Sequence, residues 1–284
     1  MPQRYNHMTM STSCNVNKQR DMKHNAEIYS KINDFQLEFG ENLATTTGIK
    51  PGDKVLDMGC GTGELTSFLA ERVGKEGQVV GVDPDVERIS VAIQKHSGTH
   101  ENLIFKNGDC SSQFPHYNEQ YYDIYFSNFV FQWLSAEEKK TFAQSAFKCL
   151  KPGGKIAIQS ADCDSRVIEQ AKNLITPDKL FSQTMNDKTK KDPIQHFVKK
   201  SVTETLLQNS GFRIVSSDYN KRSYIFSSAN EFLANVLASD YYIYDETKIS
   251  ASKMNEFRNK FANDDGTVSY FHPSIYEIVG VKTR

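Results

Sequence analysis

The sequence predicts an α/β fold built around a largely parallel sheet, and two observations indicate this class. Residues 55–63 form an apolar run that ends in an acid and then carries glycines at alternate positions, and an apolar pattern of helical period follows. Such a stretch is typical of a buried strand that turns sharply into a helix, with a backbone bare enough for a ligand to lie against it. Strand-like and helix-like segments then alternate as far as residue 160, which favours parallel strands joined by helices.

The first predicted turn carries Gly59, Gly61 and Gly63 at every second position. A dinucleotide-binding loop has the spacing G-x-G-x-x-G, and here Glu64 occupies the place of its third glycine. Asp57 lies at the end of the preceding strand, and we expect its carboxylate to order the loop by accepting hydrogen bonds from backbone amides. The spacing therefore indicates a ligand-binding loop that differs from the dinucleotide type.

The second predicted strand, Gln78–Asp83, also ends in an acid. A carboxylate in this position can accept two hydrogen bonds from the ribose hydroxyls of an adenosine. A helix is predicted over residues 86–95, and we expect Asp85 to cap it rather than to contact a ligand.

Three further strands complete the predicted series. Residues 102–106 form the third strand, and residues 107–110 close it with a third acid, Asp109. Residues 121–126 form the fourth strand, and a turn at residues 151–155 leads into a fifth at 156–160. Five strands with their helices thus occupy about half of the chain.

This succession resembles the motifs of class I S-adenosylmethionine-dependent methyltransferases. The resemblance implies a Rossmann-like fold with a seven-stranded mixed sheet, helices on both faces, and S-adenosylmethionine as the cofactor. It implies that the glycine loop holds the methionine half of the cofactor, that Asp83 binds the ribose, and that Asp109 takes the adenine amino group. The residues expected at the cofactor are Tyr29, Asp57, Gly59, Cys60, Gly61, Asp83, Pro84, Gly108, Asp109, Cys110, Ser127 and Asn128.

Composition narrows the kinds of partner and site that we expect for this chain. The 284 residues include 34 basic and 35 acidic side chains, and a net charge of −1 gives no overall field that would recruit nucleic acid. No apolar run approaches the ~20 residues that a membrane-spanning helix needs, so we expect no membrane partner. The five cysteines have no paired spacing, which favours free thiols and a cytoplasmic protein over a disulfide framework or a metal site.

The predicted organisation places the acceptor chemistry at the two ends of the chain. Residues 1–25 are polar and are expected to be a disordered tail, and 26–50 are expected to be a helical segment that covers the cofactor and the substrate. The methyltransferase core is predicted over 51–226 and its final strand over 266–284. Between them, residues 227–265 make a long aromatic-rich insertion, which we interpret as a helical lid over the substrate; a static surface subdomain is the alternative.

The segment after the fourth strand bears on the methyl acceptor. Methyltransferases that act on exocyclic amines of nucleobases, or on glutamine amides, typically carry Asp/Asn-Pro-Pro-Tyr/Phe here, whereas Asn128 is followed by Phe129 and Val130. The segment instead resembles the Leu-Gln-Trp and Leu-His-Trp signatures of trans-aconitate and juvenile-hormone-acid methyltransferases, which esterify carboxylates. The segment differs from those signatures because it carries Phe-Gln-Trp at residues 131–133 in place of either triplet. Residues 26–36 are also similar to an N-terminal element of the juvenile-hormone-acid enzymes, and the resemblance implies that Gln36 and Trp133 bind the substrate carboxylate.

Elementary acid–base chemistry favours the same acceptor. A carboxylate, with a pKa near ~4, is already a nucleophile and needs only hydrogen-bond donors to orient it, whereas an amine with a pKa near ~10 must first lose a proton. No histidine lies in the recognised motifs. The sequence therefore predicts O-methylation of a carboxylic acid on a small molecule. N-methylation of a small amine or amino acid, and a catalytically silent binding subunit of the same fold, remain as alternatives. Monomer and dimer are not distinguished.

Overall fold

The computed structural model describes residues 22–175, 195–239, 247 and 249–283. Within these ranges the five strands predicted first are present, and four more strands follow them. The strands are β1 (Lys54–Met58), β2 (Gln78–Asp83), β3 (Leu103–Asn107), β4 (Tyr122–Asn128), β5 (Leu150–Ala161), β6 (Phe212–Tyr219), β7 (Ser223–Phe226), β8 (Val268–Phe271) and β9 (Ile275–Lys282).

Seven of these strands form one mixed sheet in the order β3-β2-β1-β4-β5-β9-β6. The first five strands are parallel, while β9 runs antiparallel between β5 and β6. The predicted seven-stranded mixed sheet is confirmed. The strand order reverses between β1 and β4, and in open α/β sheets ligands bind in the crevice at the carboxyl ends of strands at such a point.

The helices lie on both faces of this sheet. They are α1 (22–32), α2 (Asp34–Thr47), α3 (Glu64–Val73), α4 (Val86–His96), α5 (Ala136–Cys149), α6 (Arg166–Ile175), α7 (Lys200–Asn209), α8 (Ala229–Ser239) and α9 (Ala251–Phe261), with a short 3-10 turn at Phe131–Trp133. Alternate strand residues enter different cores, because side chains alternate across a strand: Leu56 and Val80 lie in one apolar cluster, and Val55 and Val79 in another. None of the described helices is long and apolar enough to span a membrane.

The N-terminal segment differs from its prediction. One helix was expected from residue 26, but the chain is already helical at residue 22, the first residue described, so the predicted tail 1–25 overlaps α1; residues 1–21 lie outside the described part. The helical path breaks at Asn33, whose side chain donates to Thr62 Oγ1 at 3.2 Å and to Glu64 Oε2 at 2.7 Å. The break therefore lets the segment contact the loop that follows β1.

The long connection before β9 also departs from the prediction. A single final strand was expected within residues 266–284, but the chain leaves β8 at His272, turns through Pro273, and re-enters the main sheet as β9. Pro273 has no backbone N–H to donate to a strand ladder. β8 pairs with β7 in a separate two-stranded ribbon, so the predicted core boundary at residue 226 falls at the end of that ribbon's first strand. The predicted insertion contains α8 and α9, and Tyr241, Tyr242 and Tyr244 lie outside the described residues.

Candidate active site

A cavity of about 610 Å³ opens at the carboxyl ends of β1, β2 and β4. Small-molecule sites typically enclose about 300–1,000 Å³, so the space suits a cofactor together with part of a second ligand. One side is lined by the glycine loop and the ends of β2 and β3. The other side is lined by residues from α2, the 3-10 turn, α8 and β8.

The glycine loop brings bare backbone to the cavity wall. Gly59 has φ +83°, and its N–H donates to Val82 O at 2.7 Å, which fixes the loop to the end of β2. A Cβ atom at Gly59 would lie 2.1 Å from a methyl group of Val130, so no larger residue fits without movement. Both the backbone conformation and the close approach therefore require glycine here.

Asp83 is held ready at the end of β2. Its carboxylate is 4% exposed and accepts hydrogen bonds from the Gly61 N–H at 3.0 Å and the Asp85 N–H at 2.8 Å. Burial raises the pKa of Asp83, while the nearby Arg88 guanidinium and these two amides favour the charged form. Each carboxylate oxygen retains a lone pair for a ligand, which suits the two hydroxyls of a ribose.

Asp57 behaves differently from its prediction. Its carboxylate was expected to order the glycine loop through backbone amides, but its described hydrogen bond is from Thr66 Oγ1 at 2.8 Å. Asp83, not Asp57, accepts the Gly61 amide, because the loop curls back over the end of β2. Burial raises the pKa of Asp57 to about 7, and the residue lines the cavity. The expectation that Asp85 caps α4 is met, since its side chain accepts from the Glu87 and Arg88 amides.

The end of β3 supplies the third acid. Asp109 lines the cavity with Pro84 and Cys110, and its Oδ1 accepts from the Ser111 amide at 2.8 Å. Gly108 lies behind this wall, where a Cβ atom would stand 1.9 Å from Gln113 O. The position of Asp109 fits a partner for an exocyclic amino group.

Two predicted residues at the end of β4 have different surroundings. Ser127 is fully buried and donates to Met58 O at 3.1 Å, so it joins β4 to β1 behind the cavity. Asn128 lines the cavity, donates to Gln36 O at 2.8 Å and accepts from Gln159 Nε2 at 2.6 Å. Asn128 thereby ties the sheet to α2.

The N-terminal segment covers the cofactor side. Tyr29 lines the cavity close to Gly61, and the Arg88 guanidinium lies 4.4 Å from the centroid of its ring. Arg88 also donates to Ala238 O of α8 at 3.3 Å. Sequence reasoning missed Arg88; the available signal was a cation in the first turn of the helix that follows Asp83.

The structure brings the two predicted acceptor-binding residues to the same cavity. Gln36 lies on α2, where its Nε2 donates to Ser239 Oγ at 2.9 Å and its Oε1 accepts from Asn235 Nδ2 at 3.1 Å. Trp133 ends the 3-10 turn and also lines the cavity. The polar groups on this side come from segments far apart in the chain.

Aromatic rings enclose the rest of the acceptor side. The Phe35 centroid lies 5.4 Å from that of Phe129 and 5.3 Å from that of Tyr270, while Phe226 and Phe232 are 5.2 Å apart. Phe129 has φ +56°, a strained backbone conformation for a bulky residue that turns its ring toward α2. This compartment would surround an apolar ligand, and sequence reasoning did not assemble it.

His272 is the one histidine among the described residues that line the cavity. Its Nε2 lies 3.1 Å from Cys163 O, and its Nδ1 lies 3.2 Å from Ser274 Oγ. A carbonyl can only accept, so Nε2 carries the proton and Nδ1 accepts from Ser274. Burial lowers the pKa of His272, which keeps the ring neutral.

These residues fit S-adenosylmethionine. The cavity offers bare backbone at the loop, a fixed carboxylate at the end of β2 and a second acid at the end of β3, which match the polar groups of an amino-acid-bearing adenosine. A family model for the methyltransferase domain matches residues 49–227. The chain belongs to this family, and the prediction of an S-adenosylmethionine-dependent methyltransferase is confirmed.

Individual relatives agree on the class and differ in what their names say they methylate. Phosphoethanolamine N-methyltransferase 1 of Arabidopsis thaliana is 33% identical over 44% of this chain and 26% of its own length. A ubiquinone/menaquinone biosynthesis C-methyltransferase of Wigglesworthia glossinidia brevipalpis is 29% identical over 46% of this chain and 53% of its own. This chain thus spans about a quarter of the first relative's length and half of the second's. The structure of an S-adenosylmethionine-dependent methyltransferase from Aquifex aeolicus, 21% identical, superposes with a TM-score of 0.51 over 69% of this chain and 92% of its own.

Proposed function

We propose that the protein transfers the methyl group of S-adenosylmethionine to a carboxylate oxygen of a small molecule with an apolar body. The observation that carries this proposal is the continuity of one cavity from the glycine loop and Asp83 to an aromatic compartment furnished with neutral amides. The cofactor, when bound, supplies a methyl group that is already activated on a sulfonium. The protein's own task is then alignment and exclusion of water.

Different residues account for binding of the cofactor and for exclusion of water. Asp83 and Asp109 are suited to bind the two ends of the adenosine, and Tyr29 covers the loop from α1. α8 contributes Phe232 and Asn235 to the wall of the cavity, which supports the interpretation of residues 227–265 as a cover over the acceptor. Rings and backbone of this cover keep water from the reacting oxygen.

The polar groups of the acceptor side favour a carboxylate. Gln36 retains one N–H beyond the bond it donates to Ser239, and an amide N–H is a neutral donor that orients an anion without removing its proton. A carboxylate is ionised at neutral pH, so no general base is needed. The resemblance to carboxyl methyltransferases at Gln36 and Trp133 supports the same assignment.

His272 is poorly arranged to act as a base. Its Nε2 proton is directed at Cys163 O and its Nδ1 lone pair at Ser274, so neither nitrogen is left to take a proton from an amine. Methylation of an amine would need such a group within reach.

N-methylation is the second candidate, and one observation favours it. Asp164 lies on the cavity wall with several aromatic rings, a combination that attracts an ammonium group. A phosphorylated amine fits less well. Arg88 is the one lysine or arginine among the described residues that line the cavity, and it lies on the cofactor side against Tyr29.

The test is incubation of the protein with S-adenosylmethionine labelled in its methyl group and a metabolite extract, followed by mild base. Methyl esters hydrolyse and release the label as methanol, whereas N-methyl and C-methyl products keep it. We expect base-labile label. Label that survives base in every product fraction would exclude the carboxylate proposal.

A further inference from the structure

Gln132 is a further amide on the cavity wall, besides those of Gln36, Asn128 and Asn235. Gln132 is the middle residue of the 3-10 turn after β4, is 8% exposed, and lines the cavity next to Trp133. Its side-chain Oε1 accepts from the Ser160 hydroxyl at 2.8 Å. Its backbone O accepts from the His196 N–H at 2.6 Å.

The Ser160 hydrogen bond determines which end of the amide is left for a ligand. Because the hydroxyl donates to Oε1, the opposite end of the amide is Nε2 with its two N–H groups. Within the described ranges 22–175, 195–239 and 249–283, these N–H groups have no hydrogen-bond acceptor. Because Gln132 lines the cavity, these donors are available to an acceptor on a ligand.

The surroundings hold Gln132 in place from both sides. Lys139 Nζ, itself 4% exposed, donates to His196 O at 2.8 Å and to Leu134 O, and so clamps the turn to the segment at residues 195–199. On the sheet side, Ser160 lies in β5 next to Tyr276 of β9, whose hydroxyl hydrogen-bonds Thr203 at 2.8 Å. A donor fixed in this way needs no rearrangement when an anion arrives.

We propose that Gln132 recognises the carboxylate of the methyl acceptor through its amide N–H groups, with Ser160 as the positioning residue that fixes their direction. This inference rests on the proposed carboxyl methylation and specifies its substrate class. An ammonium group has only donors, so it would meet donors at Gln132, whereas a carboxylate oxygen is an acceptor. The site therefore takes a carboxylic acid whose body lies among the rings of Phe35 and Phe129 and whose acid group faces the turn.

Gln132 and Gln36 contribute unequally to this recognition. Both heteroatoms of the Gln36 amide are hydrogen-bonded to α8, through Ser239 and Asn235, which leaves one N–H. Gln132 uses only its oxygen and keeps both N–H groups. Gln132 is therefore the stronger anion-binding group of the two.

The experiment uses the full chain, labelled S-adenosylmethionine, and a metabolite extract separated by ion exchange into anionic and cationic fractions. The variants are Gln132→Leu, which keeps volume and removes the donors, and Gln132→Glu, which keeps an acceptor for Ser160 but presents a negative charge. Gln208→Leu on the exposed side of α7 is the matched control. Calorimetric titration with S-adenosylhomocysteine checks that each variant folds and binds the cofactor product.

We expect base-labile label from the anionic fraction with the wild type and the control. In Gln132→Leu it should fall about 10- to 100-fold, the range for one lost hydrogen bond to a charged group, while affinity for S-adenosylhomocysteine stays unchanged. Gln132→Glu should lose more, because its charge repels the acid; a merely structural side chain would tolerate Glu, which preserves the Ser160 bond. Base-labile label that is undiminished in both variants would overturn the role of Gln132 and leave carboxyl methylation standing. Label that is base-stable already in the wild type would overturn both.

Discussion

The two sides of the cavity are built in different ways. On the cofactor side, Asp83 and the glycine loop lie within about one strand-helix-strand unit and are joined by backbone hydrogen bonds, such as that from Gly61 N–H to the Asp83 carboxylate. On the acceptor side, Gln36 hydrogen-bonds Ser239, a residue 203 positions away. Asn235 of the same helix donates to Ile32 O at 2.7 Å and to Gln36.

This difference shows which half of the site is determined by the sheet itself. Parallel strand ends are fixed by their neighbours, so the cofactor side is formed as soon as the core is formed. The acceptor side exists only where α2, the 3-10 turn, α8 and β8 have packed together, since each supplies part of the wall. Changes at the strand ends should therefore remove cofactor binding, and changes on α2 or in the 3-10 turn should remove turnover while cofactor binding is kept.

The largest effect is expected from Gly59→Ala. A Cβ atom there would approach Val130 to 2.1 Å at a φ of +83°, so the loop must move. We expect affinity for S-adenosylhomocysteine to fall on the order of 100-fold, since the loop backbone lines the cofactor side.

Gly266 is the matched control, because it has the same φ of +83° but nothing within 4 Å of an added Cβ. Gly266→Ala should cost about 1–2 kcal/mol of stability and leave affinity unchanged; equal loss of affinity in both variants would show that the clash at Gly59 is irrelevant.

A smaller effect is expected from the predicted acceptor-binding pair. Trp133→Phe keeps most of the ring and deletes its N–H, and Gln36→Leu keeps volume and deletes the amide. Each should lower turnover about 10- to 100-fold, as expected for one lost donor to a charged group, with cofactor affinity close to that of the wild type. Single-turnover rates and calorimetric titration separate the two quantities. Unchanged turnover in both variants would remove these residues from the acceptor side.

The smallest effect concerns how the stability of the protein changes with pH, through Asp57 on the cofactor side. Burial raises the pKa of Asp57 from 3.8 to about 7, so between these values the folded protein holds a proton that the unfolded chain has released. The contribution of this proton to stability is complete below about pH 4 and is lost as pH rises through 7. Asp57→Asn removes the titration, so its unfolding temperature relative to the wild type should rise between pH 4.5 and 7. A constant difference across this range would mean that Asp57 titrates normally.

Much of the fold was predictable because local patterns determine it. The five parallel strands follow from apolar runs bounded by turns, and the cap at Asp85 follows from its place before a helical pattern. The split between β8 and β9 was not predictable from apolar patterning, which continues across His272 and Pro273. β8 is a strand only because β7 lies beside it, and that pairing joins residues more than forty positions apart.

The residues of the site, like the strands, were predictable only where a local pattern determines their position. Asp83, Gly59 and Gly61 could be predicted because each follows directly from a strand end. Phe35 and Tyr270 could not be predicted to meet, because no local pattern states which side chains of α2 and of the ribbon will pack together. Gln132 was visible only as the middle residue of the Phe-Gln-Trp triplet, and its hydrogen bond to Ser160 depends on the pairing of β4 with β5.

The central claim is that the carboxyl ends of β1 and β2 bind the cofactor through Asp83. Calorimetric titration of S-adenosylhomocysteine into Asp83→Ala, with Asp218→Ala on the exposed part of β6 as the control, tests it directly. Removal of a carboxylate that accepts both ribose hydroxyls should lower affinity on the order of 100-fold or more, while the control binds like the wild type. Wild-type affinity in Asp83→Ala would contradict the assignment of the cofactor side.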